Sequence, residues 1–121
     1  MSIDLVDKVS IFCNIIAMDT INSNQAENVA RFFRVLGHPM RIAIIYALNE
    51  KPWCVCKLAK HLGMNKSITS KHLSLLKREG IIEMKHEGTN VNCELKMPCV
   101  MGILQCVIDK SDVSDELTKK N

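Results

Sequence analysis

The spacing of apolar positions predicts three amphipathic helices in the N-terminal half of the chain. Apolar side chains recur every three or four residues in 3–18, 26–36 and 39–50, which is the helical period. Segment 3–18 has a wider apolar face than a solvated helix needs, so we expect it to pack against a partner surface such as a second subunit. The inward positions of the second helix are expected to be Val29, Phe32, Phe33 and Leu36.

Two shorter amphipathic segments follow Pro52 and predict a helix-turn-helix. They cover residues 55–62 and about 66–79, and Gly63 and Gly80 stand where the two helices should end. Two short helices joined by a tight turn are the arrangement of that motif.

Alternating apolar residues then predict a β-hairpin, followed by one more helix. In 81–95 the alternation runs on both sides of "EGTN", as in two paired strands. Pro98 opens a helix expected over 98–109, and the polar tail after it is expected to be frayed. The predicted fold is mainly α with a small β-hairpin, in the order of a winged helix-turn-helix.

Composition narrows the class of protein. A chain of 121 residues with 4% aromatic side chains suits one small helical core. No apolar run approaches the ~20 residues that cross a bilayer, and the start of the chain, with Asp4 and Asp7, lacks the basic region of a secretory signal. We therefore expect a cytoplasmic protein, whose six cysteines serve as ligands, redox groups or packing residues rather than disulfides. The sequence shows neither an acid–base–nucleophile set nor a phosphate-binding loop, so we do not expect an enzyme.

The second helix of the helix-turn-helix has the composition of a DNA-reading helix. It carries hydroxyl side chains among lysines and has no acidic residue before Glu79. Hydroxyls reach base edges or phosphates and lysines neutralise phosphates, so we predict DNA binding here. The alternative is a basic face that meets only solvent. The predicted contacts on this helix and the hairpin tip are Lys66, Ser67, Ser70, Lys71, His72, Ser74, Lys77, Arg78, Lys85, His86 and Asn90.

Two thiols stand at the start of the first helix of that pair. Cys54 and Cys56 would point about 200° apart inside a helix, so they can share an ion only where the helix begins. We expect Cys54 in extended backbone at the N-cap and Cys56 in the first turn. A helix N-terminus lowers the pKa of a thiol and favours the thiolate that binds soft metals. The alternative is that both are small packing residues.

The chain resembles the ArsR/SmtB family of winged-helix, metal-responsive repressors over roughly 26–108. The resemblance rests on "LGHPMRI", "CVC-x-LA", "S-x-x-S-x-HL-x-x-L" and "REGII", which occur here in the family's order. It implies a homodimer that binds palindromic operator DNA and is released by an inducer, with the first and last helices forming the dimer surface. The implied division is an N-terminal dimerisation helix and linker, a DNA-binding core, and a C-terminal dimerisation helix with its tail, at 1–25, 26–97 and 98–121.

The resemblance also implies a third thiol ligand. Relatives with this Cys-x-Cys often recruit a cysteine from the other subunit's N-terminal segment, where Cys13 is the candidate, although it could equally be a buried packing thiol. Three thiolates suit As(III), Sb(III), Cd(II) or Pb(II), and no organic cofactor is implied. The chain departs from the family at Ala59, where the best-known arsenic site has another cysteine, and at Lys57, where an acid is common.

Cys99 and Cys106 form a second candidate metal site. They are seven residues apart on one expected helix face, too far to share an ion within one chain but able to meet across a two-fold axis. Met97 and Lys110 replace ligands of the family's zinc site, so a zinc sensor of that type is not expected. The alternatives are helix packing and a redox or persulfide switch. Cys93 alternates with buried hairpin positions and is expected in the core.

Two other functions remain open from the sequence. One is a thiol-redox or persulfide-sensing repressor on the same fold, and the other is a metal-buffering or interaction protein without an operator. Restoration of DNA binding by a chelator, rather than by a reductant, separates metal sensing from redox sensing.

Overall fold

The structure is a computed structural model that describes residues 21–120, with side chains described for 21–111. The predicted helix over 3–18 and Cys13 lie outside the described residues. The elements are α1 (Ser23–Leu36), α2 (Pro39–Glu50), β1 (Trp53–Cys54), α3 (Val55–Leu62), α4 (Lys66–Arg78), β2 (Ile82–Glu87), β3 (Asn90–Leu95) and α5 (Val100–Lys120).

This order confirms the winged helix-turn-helix. The bounds of α2 and α3 coincide with those predicted, and α4 ends one residue earlier. The expectation of a frayed tail is wrong, because α5 continues to Lys120. Helix α1 begins earlier than predicted because Asn22 and Gln25 cap it reciprocally, each side chain accepting a hydrogen bond from the other's backbone N–H at 2.8–2.9 Å.

The turn between α3 and α4 has a clear local cause at each side. Gly63 ends α3 with φ 68°, a left-handed conformation that glycine adopts without strain. Asn65 then caps α4 by accepting a hydrogen bond from the N–H of Ile68 at 2.8 Å. The hydroxyl of Thr69, which is fully buried, donates to the carbonyl of Asn65 at 2.8 Å. These contacts fix where α4 begins.

A three-stranded antiparallel sheet in the order β1-β3-β2 combines the short strand before α3 with the two strands after α4. The hairpin predicted from the sequence is β2 and β3, with Ile82 opposite Leu95, and Gly88 takes φ 65° in its turn. The additional strand β1 places Trp53 opposite Cys93. The strand that leads into α3 is therefore hydrogen-bonded to the wing, which is the β2–β3 hairpin.

The described residues divide into two compact units, 21–34 and 35–120. In the described part of the first unit, the expectation of an inward Val29 and Phe33 is wrong, because they are 46% and 49% exposed. The second unit holds the helix-turn-helix, the wing and the core. Its fully buried side chains are Ile44, Ile45, Leu58, Thr69, Leu73, Leu76, Ile81, Cys93 and Val100.

The core position expected for Cys93 is confirmed. Its side chain is inaccessible to solvent, and burial raises the pKa of the thiol to about 11. Within 21–120, no helix combines the length and apolar character needed to cross a membrane.

Candidate DNA-binding face and thiol site

Helix α4 buries one side and exposes the side predicted to meet DNA. Thr69, Leu73 and Leu76 fill the core, and the hydroxyl and basic side chains lie on the remaining surface. Ser70 and His72 are half-buried. The other predicted α4 residues are exposed, namely Lys66, Ser67, Lys71, Ser74, Lys77 and Arg78.

The hydroxyl groups on this helix differ in their availability. Ser74 donates to the carbonyl of Ser70 at 2.9 Å, so its proton is already used within the helix. Among the residues that the structure describes, the hydroxyls of Ser67 and Ser70 have no hydrogen-bond partner. These two can therefore donate to a phosphate or a base edge without breaking an internal contact.

The wing presents a mixed rather than a uniformly basic surface. Lys85, His86 and Asn90 are exposed, as predicted. However, the ammonium of Lys85 lies 3.4 Å from a carboxylate oxygen of Glu94, so part of its charge is compensated. On the same sheet, the neighbouring Lys96 lowers the pKa of Glu83.

His72 packs behind the recognition surface, where it contacts the start of α2. Arg41 donates from Nε to His72 Nδ1 at 3.3 Å and from Nη1 to the carbonyl of Val35 at 2.8 Å. The His38 ring lies 4.6 Å from the His72 ring. The pKa of His72 is lowered chiefly by burial and, to a smaller extent, by electrostatic repulsion from His38 and Arg41.

Arg41 is a positioning residue that the sequence reasoning did not select. It connects α4 to the chain that precedes α2, through His72 on one side and Val35 on the other. Its signal in the sequence is the segment "LGHPMRI", which contains both His38 and Arg41.

Cys54 and Cys56 take the positions predicted for them. Cys54 is the N-cap of α3, with extended backbone at φ −69° and ψ 140°, and its thiol makes no capping hydrogen bond. Nevertheless, the backbone N–H of Cys56, followed by that of Lys57, lowers the pKa of the Cys54 thiol. Cys54 is half-buried and Cys56 is exposed, so an ion in solution can reach the pair.

The two cysteines face predicted DNA contacts across a cavity of about 90 Å³. It lies between the start of α3, the start of α4 and the wing. Among its lining residues are Cys54, Cys56, Lys66, Ser70 and Asn90. The fold thus brings the thiols and part of the predicted DNA surface into one place, which the sequence alone did not indicate.

A complete thiolate site is not assembled from the described side chains. Within this part of the chain, no three His, Cys, Asp or Glu side chains are placed together to hold a metal ion. Cys54 and Cys56 fit a soft ion by their chemistry, but they supply only two ligands. A third must come from residues outside the described range or from another chain.

Cys99 and Cys106 are both exposed. Cys99 lies in the turn before α5 rather than on the helix, where its carbonyl accepts from the N–H of Gly102 at 3.1 Å. Both thiols are therefore accessible to a second chain, and their meeting across a two-fold axis stays a prediction.

The comparisons with known proteins agree with this fold. The family profile described as "Bacterial regulatory protein, arsR family" matches residues 38–84. The chain is 30% identical to the Synechocystis "Transcriptional repressor SmtB homolog" over 97 residues, which are 80% of this chain and 74% of that protein. It is 29% identical to the Listeria innocua "Cadmium resistance transcriptional regulatory protein CadC" over 79 residues, 64% of this chain and 66% of that one.

Two solved structures have the same architecture. The antimony-specific transcriptional repressor AntR is 29% identical, with a TM-score of 0.66 and coverage of 77% of this chain and 87% of that one. A homodimeric winged helix-turn-helix DNA-binding domain from Mycobacterium bovis, Mb0332, is 27% identical, with a TM-score of 0.65 and coverage of 71% and 82%.

The fold and its exposed basic helix therefore define a winged helix-turn-helix transcriptional regulator. The chain belongs to the ArsR/SmtB family and is a DNA-binding transcriptional repressor of that family, not an enzyme.

Proposed function

We propose that the chain is a homodimeric repressor released from its operator when a thiophilic metal or metalloid ion binds Cys54 and Cys56. The supporting observation is the cavity in which these two thiols lie beside Lys66 and Ser70 of α4. As(III), Sb(III), Cd(II) and Pb(II) are the proposed inducers, because all of them accept thiolate ligands. The names of two relatives, the cadmium-resistance regulator CadC and the antimony-specific repressor AntR, support a soft ion.

The lowered pKa of Cys54 supports the same chemistry. The thiolate is the form that binds soft ions, and at this N-cap it is favoured by the N–H groups of Cys56 and Lys57. Two thiolates leave the coordination incomplete, so we propose Cys13 of the second subunit as the third ligand. Cys99 and Cys106 remain the alternative site. The protein is proposed to act in the cytoplasm, where thiols stay reduced.

The position of Cys54 explains how this site can influence DNA binding. Cys54 ends β1 and stands at the N-cap of α3, and α3 packs on α4. Leu58 of α3 and Leu73 of α4 are both fully buried in the core. Displacement of Cys54 would therefore move the support of α4, and Lys66 and Ser70 at the cavity rim would move with it. A coupling free energy of about 2–3 kcal/mol is sufficient, because it corresponds to a roughly 30–150-fold loss of affinity.

The test compares two double variants of the full-length dimer. Cys54→Ser/Cys56→Ser should bind operator DNA like the wild type, since serine caps a helix well, and it should no longer be released by arsenite, antimonite, Cd(II) or Pb(II). Its thiolate-to-ion absorption on titration should fall as well. The matched control, Cys99→Ser/Cys106→Ser, should keep both responses. Normal release of the first variant would assign the response to Cys99 and Cys106.

One further arm separates metal sensing from redox sensing. A chelator should restore DNA binding after release, whereas restoration only by a thiol reductant would indicate redox or persulfide sensing. The alternative of a metal-buffering or interaction protein without an operator does not fit a chain that belongs to a family of DNA-binding repressors.

A further inference from the structure

Ile68 is an exposed apolar residue on α4 that neither the core nor the helix itself explains. Its side chain is 46% exposed, although it lies between Ser67 and the fully buried Thr69. The other large apolar side chains exposed in the described part of the chain are Ile21, Val29, Phe33, Ile103, Val107 and Ile108. All of those lie on α1, on α5 or just before α1, whereas Ile68 lies on the helix-turn-helix.

The helix start does not account for an isoleucine at this position. The N–H of Ile68 donates to Asn65 Oδ1 at 2.8 Å, which makes it the N3 residue of α4. Glu or Gln is usual at N3, because its side chain can return a hydrogen bond to the cap residue. The first turn of α4 contains no acidic residue, and a β-branched side chain is a weaker helix former than Glu or Gln.

The surroundings of Ile68 point to a partner in the major groove. The N-terminal residues of a recognition helix contact base edges. Ile68 lies in this first turn with Lys66 and Ser67, and Lys71 follows one turn later. The apolar group that DNA offers in the major groove is the 5-methyl of thymine, which apolar side chains contact.

We propose that Ile68 is a specificity-determining residue that packs against a thymine methyl group in each operator half-site. This inference rests on α4 being the helix that enters the groove. Hydroxyl and lysine side chains then supply hydrogen bonds and phosphate contacts, while Ile68 selects thymine at its position.

The test removes the thymine methyl group and the Ile68 side chain separately. An operator is first selected from a random-sequence DNA pool with the wild-type dimer, and each thymine is then replaced in turn by deoxyuridine, which lacks only the methyl group. At one thymine per half-site the wild type should lose about fourfold in affinity, as expected for one buried methyl group. Ile68→Ala should bind the parent duplex more weakly and should be insensitive to deoxyuridine at that position.

Two controls keep the result specific. Ile68→Val should retain most of the methyl sensitivity, whereas Lys66→Ala should weaken binding to all duplexes alike and keep the deoxyuridine profile. The melting temperature and dimer mass of Ile68→Ala should match the wild type, since the residue is exposed.

The proposal is overturned if Ile68→Ala shows the wild-type deoxyuridine profile, or if no thymine is methyl-sensitive in the wild type. Lys71→Glu tells these failures apart. If Lys71→Glu abolishes binding, then Ile68 alone was misassigned, whereas unchanged binding by Lys71→Glu would overturn α4 as the reading helix.

Discussion

The pKa of the Cys54 thiol depends on the position of this residue at the start of a helix. The sequence placed it at a helix start, and the structure confirms the extended backbone of the N-cap. The lowered pKa arises from two backbone N–H groups of the first turn, those of Cys56 and Lys57. Cys93, which pairs across the sheet with Trp53, has its pKa raised by burial. Two cysteines close together in the fold are therefore expected to differ in reactivity.

This difference predicts selective alkylation in the reduced protein. In a Cys56→Ser variant, Cys54 should react with iodoacetamide with a midpoint pH below that of a free thiol, because the thiolate is the nucleophile. Cys93 should react only after unfolding, since it is buried and its pKa is about 11. Peptide-resolved mass spectrometry at several pH values measures both rates. Equal rates for Cys54 and Cys93 would contradict the assignment.

His72 predicts a pH dependence of stability. Its pKa is lowered in the folded protein, so the unfolded chain binds a proton more readily. The stabilisation by the neutral ring is complete above the unfolded value, about 6.5, and is lost as the pH falls from there through the lowered folded value. Protonation also removes the lone pair of Nδ1 that accepts from Arg41.

The free energy of unfolding, measured by urea titration between pH 8 and pH 5, should therefore decline more in the wild type than in His72→Gln. Glutamine can still accept a hydrogen bond but does not titrate. Parallel profiles for the two proteins would show that another group controls the acid sensitivity.

At the scale of elements, the spacing of apolar residues predicted the helices and the hairpin, which depend on local sequence. It did not predict features that depend on contacts between residues distant in the chain. Helix α3 and the hairpin register follow from apolar spacing together with Gly63 and Gly88. Strand β1 is only two residues long and exists because Trp53 pairs with Cys93, so no alternation could reveal it. The cavity beside Cys54 was missed for the same reason, because it needs α3, α4 and the wing together.

Helix α4, as the helix that enters the DNA groove, gives the prediction at this scale. Lys71→Glu should abolish operator binding without lowering the melting temperature, because Lys71 is exposed and the new carboxylate would face phosphates. Lys71→Ala should weaken binding and reduce the slope of log K against log salt by about 0.9 if Lys71 neutralises one phosphate. Lys60→Glu on α3, also exposed, is the charge-matched control and should retain sequence-selective binding. Fluorescence anisotropy at several salt concentrations measures all three, and an unchanged slope for Lys71→Ala would remove it from the DNA-contact set.

At the scale of the whole molecule, α5 has apolar side chains that are exposed to solvent in a single chain. Val100 and Leu104 are buried in the core, whereas Ile103, Val107 and Ile108 are exposed. One solved relative, the Mycobacterium bovis domain Mb0332, is a homodimer. The division into dimerisation segments 1–25 and 98–121 around a DNA-binding core remains a prediction. Helix α5 allows a test of it, because the structure describes side chains on this helix.

Val107→Asp should dissociate the dimer. Val107 is 58% exposed in one chain, so the monomer fold should tolerate aspartate, while a charge buried between two copies of α5 carries a large desolvation cost. Operator affinity should fall with dimerisation, because a dimeric winged helix places its two recognition helices about one DNA turn apart and a monomer holds only one half-site. Gln105→Glu, exposed on the same helix but about 160° around it from Val107, is the control that adds a charge away from this face. Sedimentation velocity and DNA titration on both variants test this, and a Val107→Asp dimer of wild-type affinity would exclude this face of α5 from the interface.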